Sequence, residues 1–524
     1  MLNEAKLILI GEGEVGKSCL LGALRGDPWQ EGRPTTHGIE IKPVTVTDSE
    51  GGTEITLNGW DFGGQRVYRP THQLFFSAPA VYLVVWKPRE GPQAGAVKDW
   101  IKLVKHREPK ARQPDIGRQD IWDLFGRDTV VDFFLMDSKP DDRTGERAGI
   151  ADLKQAVARV AAGLPGIGRK VPRRWEQARG ALRSLVSVDA VRSVLCNPMV
   201  SDAEEARRRL AAVDEDCVPL ECILEILGDL VADEDEAREE LIDARVAYLP
   251  LERVMAVCGE AGMDEEQARD FVRISHRLGH LIHYDHDPAL RDIVILKPDW
   301  LATAISYVLD DSQTRESHGL VGFSRLGELW HDPERPAESR YPADLHPAFL
   351  RLMERFDLCY RIAEPHNIPS DGTSLIAQLV SDVRPVEDLP RVWPAEPDAG
   401  DGQQVQVCRI VDAGNGQSAT AEGLFFQLIV RLHRYSLGRM NYHDSVHWQR
   451  GLVLDDDYNG RALLEHLGSD VRITVRAPYP EGLLSVLTHD VKWLVESFWE
   501  GLRCDVTVPC IEPCGRGCAG ECPV

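Results

Sequence analysis

Apolar residues fall into short alternating or continuous blocks through the first 140 positions, and mostly at helical spacing beyond them. Residues 6–10 are an apolar run that suits a buried strand, and residues 17–24 place Cys19, Leu20, Leu21 and Leu24 on one helical face. Residues 38–46 and 54–58 alternate with period two, and residues 78–86 (APAVYLVVW) are apolar throughout, so three further strands are expected. Residues 99–105 suit an amphipathic helix and 116–125 a second, 130–136 (VVDFFLM) a strand, and 150–164 a closing helix. Strands alternating with helices predict a layered α/β domain. The Gly-, Pro- and Arg-rich run after Leu164 reads as a linker.

Beyond it, 175–185 reads as a helix, and the charged stretches 202–209 and 233–243 as solvated helix faces. Residues 250–278 predict two helices joined by a turn, with Asp264 as N-cap of the second and Glu266 close behind. A hairpin follows, LIHYDHD and DIVIL with a turn near Pro288, completing a winged-helix pattern. The second helix opens with Asp264, Glu265, Glu266 and Asp270, where base contacts would sit, so packing against the first domain is expected rather than DNA binding. Segments 403–410, 425–435, 447–454, 470–475 and 483–498 alternate strand-like and helix-like patterns, an α+β region.

The chemistry is concentrated near the start. Residues 11–18 read GEGEVGKS, the G-x-x-x-x-G-K-S spacing of a phosphate-binding loop between a strand and a helix. Gly11, Glu12, Gly13, Glu14, Val15, Gly16, Lys17, Ser18 and Cys19 are the expected nucleotide contacts. Glycines let successive N–H groups turn toward an anion, Lys17 brings charge to the phosphates, and the Ser18 hydroxyl is a ligand for Mg²⁺. Farther on, NGWDFGGQ supplies Asp61 and Gly64 in a D-x-x-G spacing. Asp61 is expected to hold Mg²⁺ through water, Gly64 to contact the γ-phosphate through its N–H, and Gln65 to orient an attacking water.

GEGEVGKSCLLGAL, PTTHGIEI and WDFGGQ together resemble the Roc domain, the Ras-like GTPase module of Roco proteins. ILKPDWLATAISYVLDD and PADLHPAFLRLMERFDLCYRI resemble the COR region that follows it. The resemblance implies an α/β P-loop NTPase (Ras-like) domain followed by an α+β COR region, winged-helix-like in its first half and dimerising in its second. It implies that Thr36, with Thr35 as fallback, closes on Mg²⁺ and the γ-phosphate, and that residues 62–72 form the second switch. Ser138 and Lys139 resemble the family's second base-contacting loop, while no N-K-x-D occurs anywhere in the chain. That aspartate accepts two hydrogen bonds from guanine, each worth about 1.5–3 kcal/mol, so a weakened guanine preference is expected. The expected division is Roc at 1–165, a linker at 166–174, a COR N-terminal subdomain at 175–365, a COR C-terminal subdomain at 366–505 and a Cys-rich tail at 506–524.

The chain's 524 residues are too many for one core. A net charge of −24 disfavours nucleic acid and anionic membrane surfaces. No apolar run approaches the roughly 20 residues of a membrane span, and Met1 leads directly into the first strand, so a cytoplasmic location without a secretory leader is expected. Eight of the twelve cysteines are scattered, as in a reduced compartment. Cys510, Cys514, Cys518 and Cys522 recur every fourth residue and could hold Zn²⁺, although structural zinc sites usually use C-x₂-C knuckles.

The readings are therefore a slow, Mg²⁺-dependent GTPase (GTP to GDP) acting as a homodimeric switch, or a non-catalytic dimeric scaffold with weak nucleotide binding. Arg25, Arg33, Arg66 and Arg69 are the candidate arginine fingers. Kinase activity would rest on family association alone, since no H-R-D occurs and the D-F-G at residues 61–63 belongs to the D-x-x-G stretch.

Overall fold

The computed structural model describes residues 3–31, 36, 38–48, 52–64, 80–86, 131–141, 143–164, 167–168, 171–195, 199–231, 233–241, 244–335, 340–362, 372–413, 416–419, 421, 423–439, 441–499, 502–509 and 521–523. The apolar blocks at the start become β1 (Glu4–Ile10), α1 (Lys17–Arg25), β2 (Ile39–Thr47), β3 (Glu54–Phe62) and β4 (Ala80–Val84), with α2 (Ile150–Ala162) behind them. The sheet order is β2-β3-β1-β4. β1 is parallel to β3 and β4, and β2 is antiparallel to β3.

Period-two alternation gives this sheet two apolar faces. Leu7, Leu9, Ile55, Leu57, Val44 and Val46 meet α1 and α2. Ile8, Ile10, Ile39, Trp60 and Phe62 share a core with residues nearly 300 positions downstream. β3 runs on through Phe62, so Asp61 lies within the strand rather than beyond a strand ending at residue 58.

Of the strand expected at 130–136, residues 131–136 are described and form none: they pair with no described strand, and β4 does not take them as a neighbour. Phe134 and Met136 still pack on the core while Leu135 is 77% exposed. The segment is instead tied to the approach to α2, where Asp137 N–H donates to the Ala148 carbonyl at 3.0 Å. Alternation reports which side faces the core, not whether a ladder partner stands alongside. The helices expected at 99–105 and 116–125 fall outside the described residues.

After α3 (Arg173–Ser184), residues 185–244 build a small helical unit with its own core around Val191, Leu210, Ile223 and Leu227. The winged-helix pattern follows as β5 (Tyr248–Pro250), α4 (Leu251–Glu260), α5 (Glu265–Arg277), β6 (Ile282–His283) and β7 (Ile293–Ile295), with sheet order β5-β7-β6. Asp264 caps α5 as expected, accepting from Gln267 N–H at 2.9 Å. The expected packing against the first domain is present: Ile282, Leu290 and Ile295 belong to the core shared with its sheet.

α6 (Pro298–Asp310) provides the larger part of that cover through Leu301, Ala302 and Ile305. α7 (Phe323–Trp330) and α8 (His346–Arg355) support it from behind with Trp330 and Phe349. The polar tips of this aromatic cluster are satisfied: Trp330 Nε1 donates to the Ala304 carbonyl at 2.9 Å, and the Tyr341 hydroxyl to the Trp300 carbonyl at 2.7 Å. Because Ile305 lies in a core shared with the sheet, Ile305→Val is expected to cost about 1 kcal/mol. It should lower the thermal midpoint of nucleotide domain and α6 together; two separated transitions would contradict the shared core.

The C-terminal part is a seven-stranded antiparallel sheet built on the long strand β8 (Gly402–Asp412). α10 (Glu481–Phe498) and α9 (Leu424–Arg431) pack on it through Leu487, Val491, Leu428 and Phe425. The strand Leu502–Pro509 runs past the expected start of the tail, and Glu521–Pro523 pairs with it as the edge of the sheet. Cys510, Cys514 and Cys518 lie outside the described residues. No helix among the described residues is long and apolar enough to cross a membrane.

Candidate functional site

The loop joining β1 to α1 turns on left-handed positions: Gly11 (φ 149°), Glu14 (φ 61°) and Gly16 (φ 94°). A Cβ on Gly11 would sit 2.2 Å from the Val85 carbonyl oxygen, so the residue that follows β4 closes against the loop only because that position is bare. Left-handed residues interspersed with right-handed ones aim successive N–H groups at one point, an anion-binding nest. α1 starts at that point with no side-chain cap, adding its positive dipole end. Lys17 is buried, and its ammonium donates to the Gly11 carbonyl at 2.9 Å and the Glu12 carbonyl at 2.8 Å. The positive charge of the loop is thus held against the loop's own carbonyls.

Below the loop three oxygen-bearing side chains converge. Ser18 Oγ lies 2.8 Å from Thr36 Oγ1, which donates to Asp61 Oδ2 at 3.1 Å. Asp61 is fully buried, and its other carboxylate oxygen has no hydrogen-bond partner. Burial holds its carboxyl above the ordinary carboxylate range, against the opposing pull of Ser18, Lys17 and Thr36. An orphaned buried carboxylate oxygen beside two hydroxyls is an incomplete set of hard donors, and it fits Mg²⁺, which prefers oxygen ligands and retains several waters. Gly64 completes the wall: a Cβ there would fall 2.4 Å from both the Glu12 carbonyl and the Gly13 nitrogen.

Ser138 lies in a small cleft beside Cys19, with Trp29 and Arg147 as further walls. Its loop is held by Lys139 N–H donating to Asp137 Oδ1 at 2.9 Å, and Arg147 bonds the carbonyls of Ala23 and Asp27 at the end of α1. Lys139 itself is exposed. The Trp29 indole N–H is buried without a partner. Trp29 and Arg147 were not among the sequence candidates. The available signal was an indole standing just past the glycine that ends α1.

The sequence candidates Gly11 to Cys19, Thr36, Asp61 and Gly64 all gather at this end of the sheet, and Ser138 lies close to Cys19. Gln65, Thr35, Arg33, Arg66 and Arg69 lie outside the described residues, while Arg25 pairs with Asp27 at 3.1 Å. No group of three or more His, Cys, Asp or Glu side chains arranged to hold a metal occurs among the described residues, and Cys522 is described only as part of the edge strand.

Family models match this chain in three places. Residues 6–116 match "Ras of Complex, Roc, domain of DAPkinase", residues 235–380 "C-terminal of Roc, COR-A domain", and residues 418–522 "C-terminal of Roc, COR-B domain". The probable serine/threonine-protein kinase pats1 of Dictyostelium discoideum is 23% identical over 86% of this chain and 13% of its own length. A Roc-COR-CHAT protease from an unknown prokaryotic organism is 25% identical over 69% of this chain and 30% of its own length. The Ras-related protein SEC4 of Saccharomyces cerevisiae is 26% identical over 27% of this chain and 70% of its own length. This chain spans 13% to 33% of the length of the first three curated relatives it matches. A solved structure of Methanosarcina barkeri Roco2 RocCORdC bound to GDP aligns with 72% of this chain and 96% of its own, at 20% identity and a TM-score of 0.47.

Proposed function

Since this chain belongs to the Roco family, carrying a Ras-like Roc domain followed by COR-A and COR-B parts, we propose that it is a guanine-nucleotide switch that hydrolyses GTP slowly. The observation that carries this reading is the convergence of Ser18, Thr36 and Asp61 beneath a loop with Lys17 at its mouth. The loop amides from Glu12 to Cys19 cradle the phosphates, and the Lys17 ammonium leaves its carbonyls for phosphate oxygens. Ser18, Thr36 and Asp61 would hold Mg²⁺, the hydroxyls as ligands and the carboxylate through water. When bound, Mg²⁺ supplies charge neutralisation across the phosphates. Gly64 offers its N–H to the γ-phosphate, and Gln65 orients the water that attacks it. Ser138 and Lys139 lie on the base side.

The homodimer forms through the C-terminal half, and the division of the chain at residues 165, 175 and 365 follows the same reading. A cytoplasmic location suits it.

Trp29 is the proposed platform for the base. Stacking of a base on an aromatic side chain is worth about 1–3 kcal/mol, so Trp29→Ala is expected to weaken GDP binding roughly 5- to 150-fold. Fluorescence titration reads this directly, and an unchanged affinity would remove Trp29 from the site.

The absence of N-K-x-D from the sequence favours a second reading, a scaffold with weak or unselective nucleotide binding. Calorimetric titration with GTP, GDP and ATP in Mg²⁺ separates the two. Tight GTP and GDP binding supports the switch, no binding supports the scaffold, and a preference for ATP contradicts both.

A further inference from the structure

The switch segment does not end on the nucleotide domain. Gly38, two positions after Thr36, is buried against α6 with φ +71°. A Cβ there would lie 2.4 Å from Ser306 Oγ and 3.3 Å from the Ala302 carbonyl. Ser306 is itself buried, and its hydroxyl donates to that same Ala302 carbonyl at 2.8 Å, which fixes its direction. The Gly38 carbonyl accepts from Gly63 N–H at 2.8 Å, and Gly63 adjoins Gly64, the residue lying against the phosphate loop. One backbone position therefore joins the segment that carries Thr36, the segment that carries Gly64, and a helix of the COR-A part.

We propose that Ser306 is a positioning residue for nucleotide binding: seated against Gly38, it holds Thr36 in the place where it meets Ser18 and Asp61. This rests on the reading of the site as one for guanine nucleotide. On that reading Thr36 closes on the γ-phosphate, which only the triphosphate carries, so a change at Ser306 alters the affinity for GTP more than for GDP. Coupling between sites is reciprocal, so a bound triphosphate tightens the seat of α6 by the same factor. A hydroxyl that merely filled space in the core would change both affinities alike.

The test uses the full chain in Mg²⁺, titrated with fluorescent GDP and a non-hydrolysable GTP analogue. Ser306→Leu pushes against Gly38 and is expected to weaken the GTP analogue about fivefold or more, with GDP within about twofold. Gly38→Ala should lose affinity for the GTP analogue in the same way, and adding Ser306→Ala to it should restore a large part, since the colliding hydroxyl is gone. The proposal is overturned if Ser306→Leu changes both affinities equally or neither. Should Ser306→Leu not fold, it is overturned if Ser306→Ala brings Gly38→Ala no recovery. A wild-type chain that binds neither nucleotide overturns the site assignment as well, and needs no variant to detect.

Discussion

Lys17→Ala is expected to leave a folded chain that has lost its hold on guanine nucleotide. The ammonium sits at the mouth of the nest, donating to the carbonyls of Gly11 and Glu12. In a complex those bonds would be exchanged for charge-assisted ones to phosphate oxygens, each worth about 1.5–3 kcal/mol. Losing two such bonds weakens affinity by about two to four orders of magnitude. The fold pays little, because the apolar positions of α1, Leu20, Leu21 and Leu24, remain in the core. Calorimetry with GDP in Mg²⁺, alongside a thermal melt, checks both halves. Retained affinity would mean the loop had been misassigned; a lost melting transition would mean the lysine is structural first.

The loop was legible because its chemistry is local. Eight consecutive residues between a strand and a helix specify both the backbone turns and the charge, and Asp264 announced its helix in the same local way. The second face of the sheet was legible only in part, as packing of the winged-helix pattern against the first domain. Apolar residues at Ile8, Ile10, Trp60 and Phe62 say that something covers them, since a strand buried on both faces loses its polar alternation. They do not say that the cover comes from Leu301 and Ile305. That pairing is a matter of shape over a long sequence separation.

Residues 130–136 failed for the converse reason, having the pattern of a strand and no described partner for a ladder. Asp61 lay between these cases. Its D-x-x-G spacing was visible, but its full burial follows from β3 running on to Phe62 and from the loop packed over it. Trp29 carried no motif at all, and only the cleft it shares with Ser138 singles it out.

The burial of Asp61 leads to the second large expectation, that Asp61→Asn makes the chain more stable and less able to hold Mg²⁺ with nucleotide. The carboxyl has one oxygen bonded to Thr36 and one with no partner, and burial raises its pKa above the value it has in an unfolded chain. A carboxyl raised in this way favours the fold while protonated. That contribution is complete below the unfolded value and is lost as pH rises through the folded one. At neutral pH the wild-type chain therefore bears the cost of an incompletely paired buried charge. An amide of the same shape can still accept from Thr36 without that charge, so the variant should gain on the order of 1 kcal/mol at pH 7. The gain should shrink as pH falls toward the carboxylate range, where the wild-type side chain becomes neutral too. The Mg²⁺ requirement moves the other way: a neutral amide cannot replace a carboxylate behind the metal's water, and loss of such a partner typically costs 10- to 100-fold in metal affinity. Thermal midpoints from pH 5 to 8 and the Mg²⁺ concentration needed to retain GDP test the two effects separately. A variant less stable than wild type at pH 7 would show that Asp61 is fully compensated by its neighbours, and an unchanged Mg²⁺ requirement would remove it from the metal's surroundings.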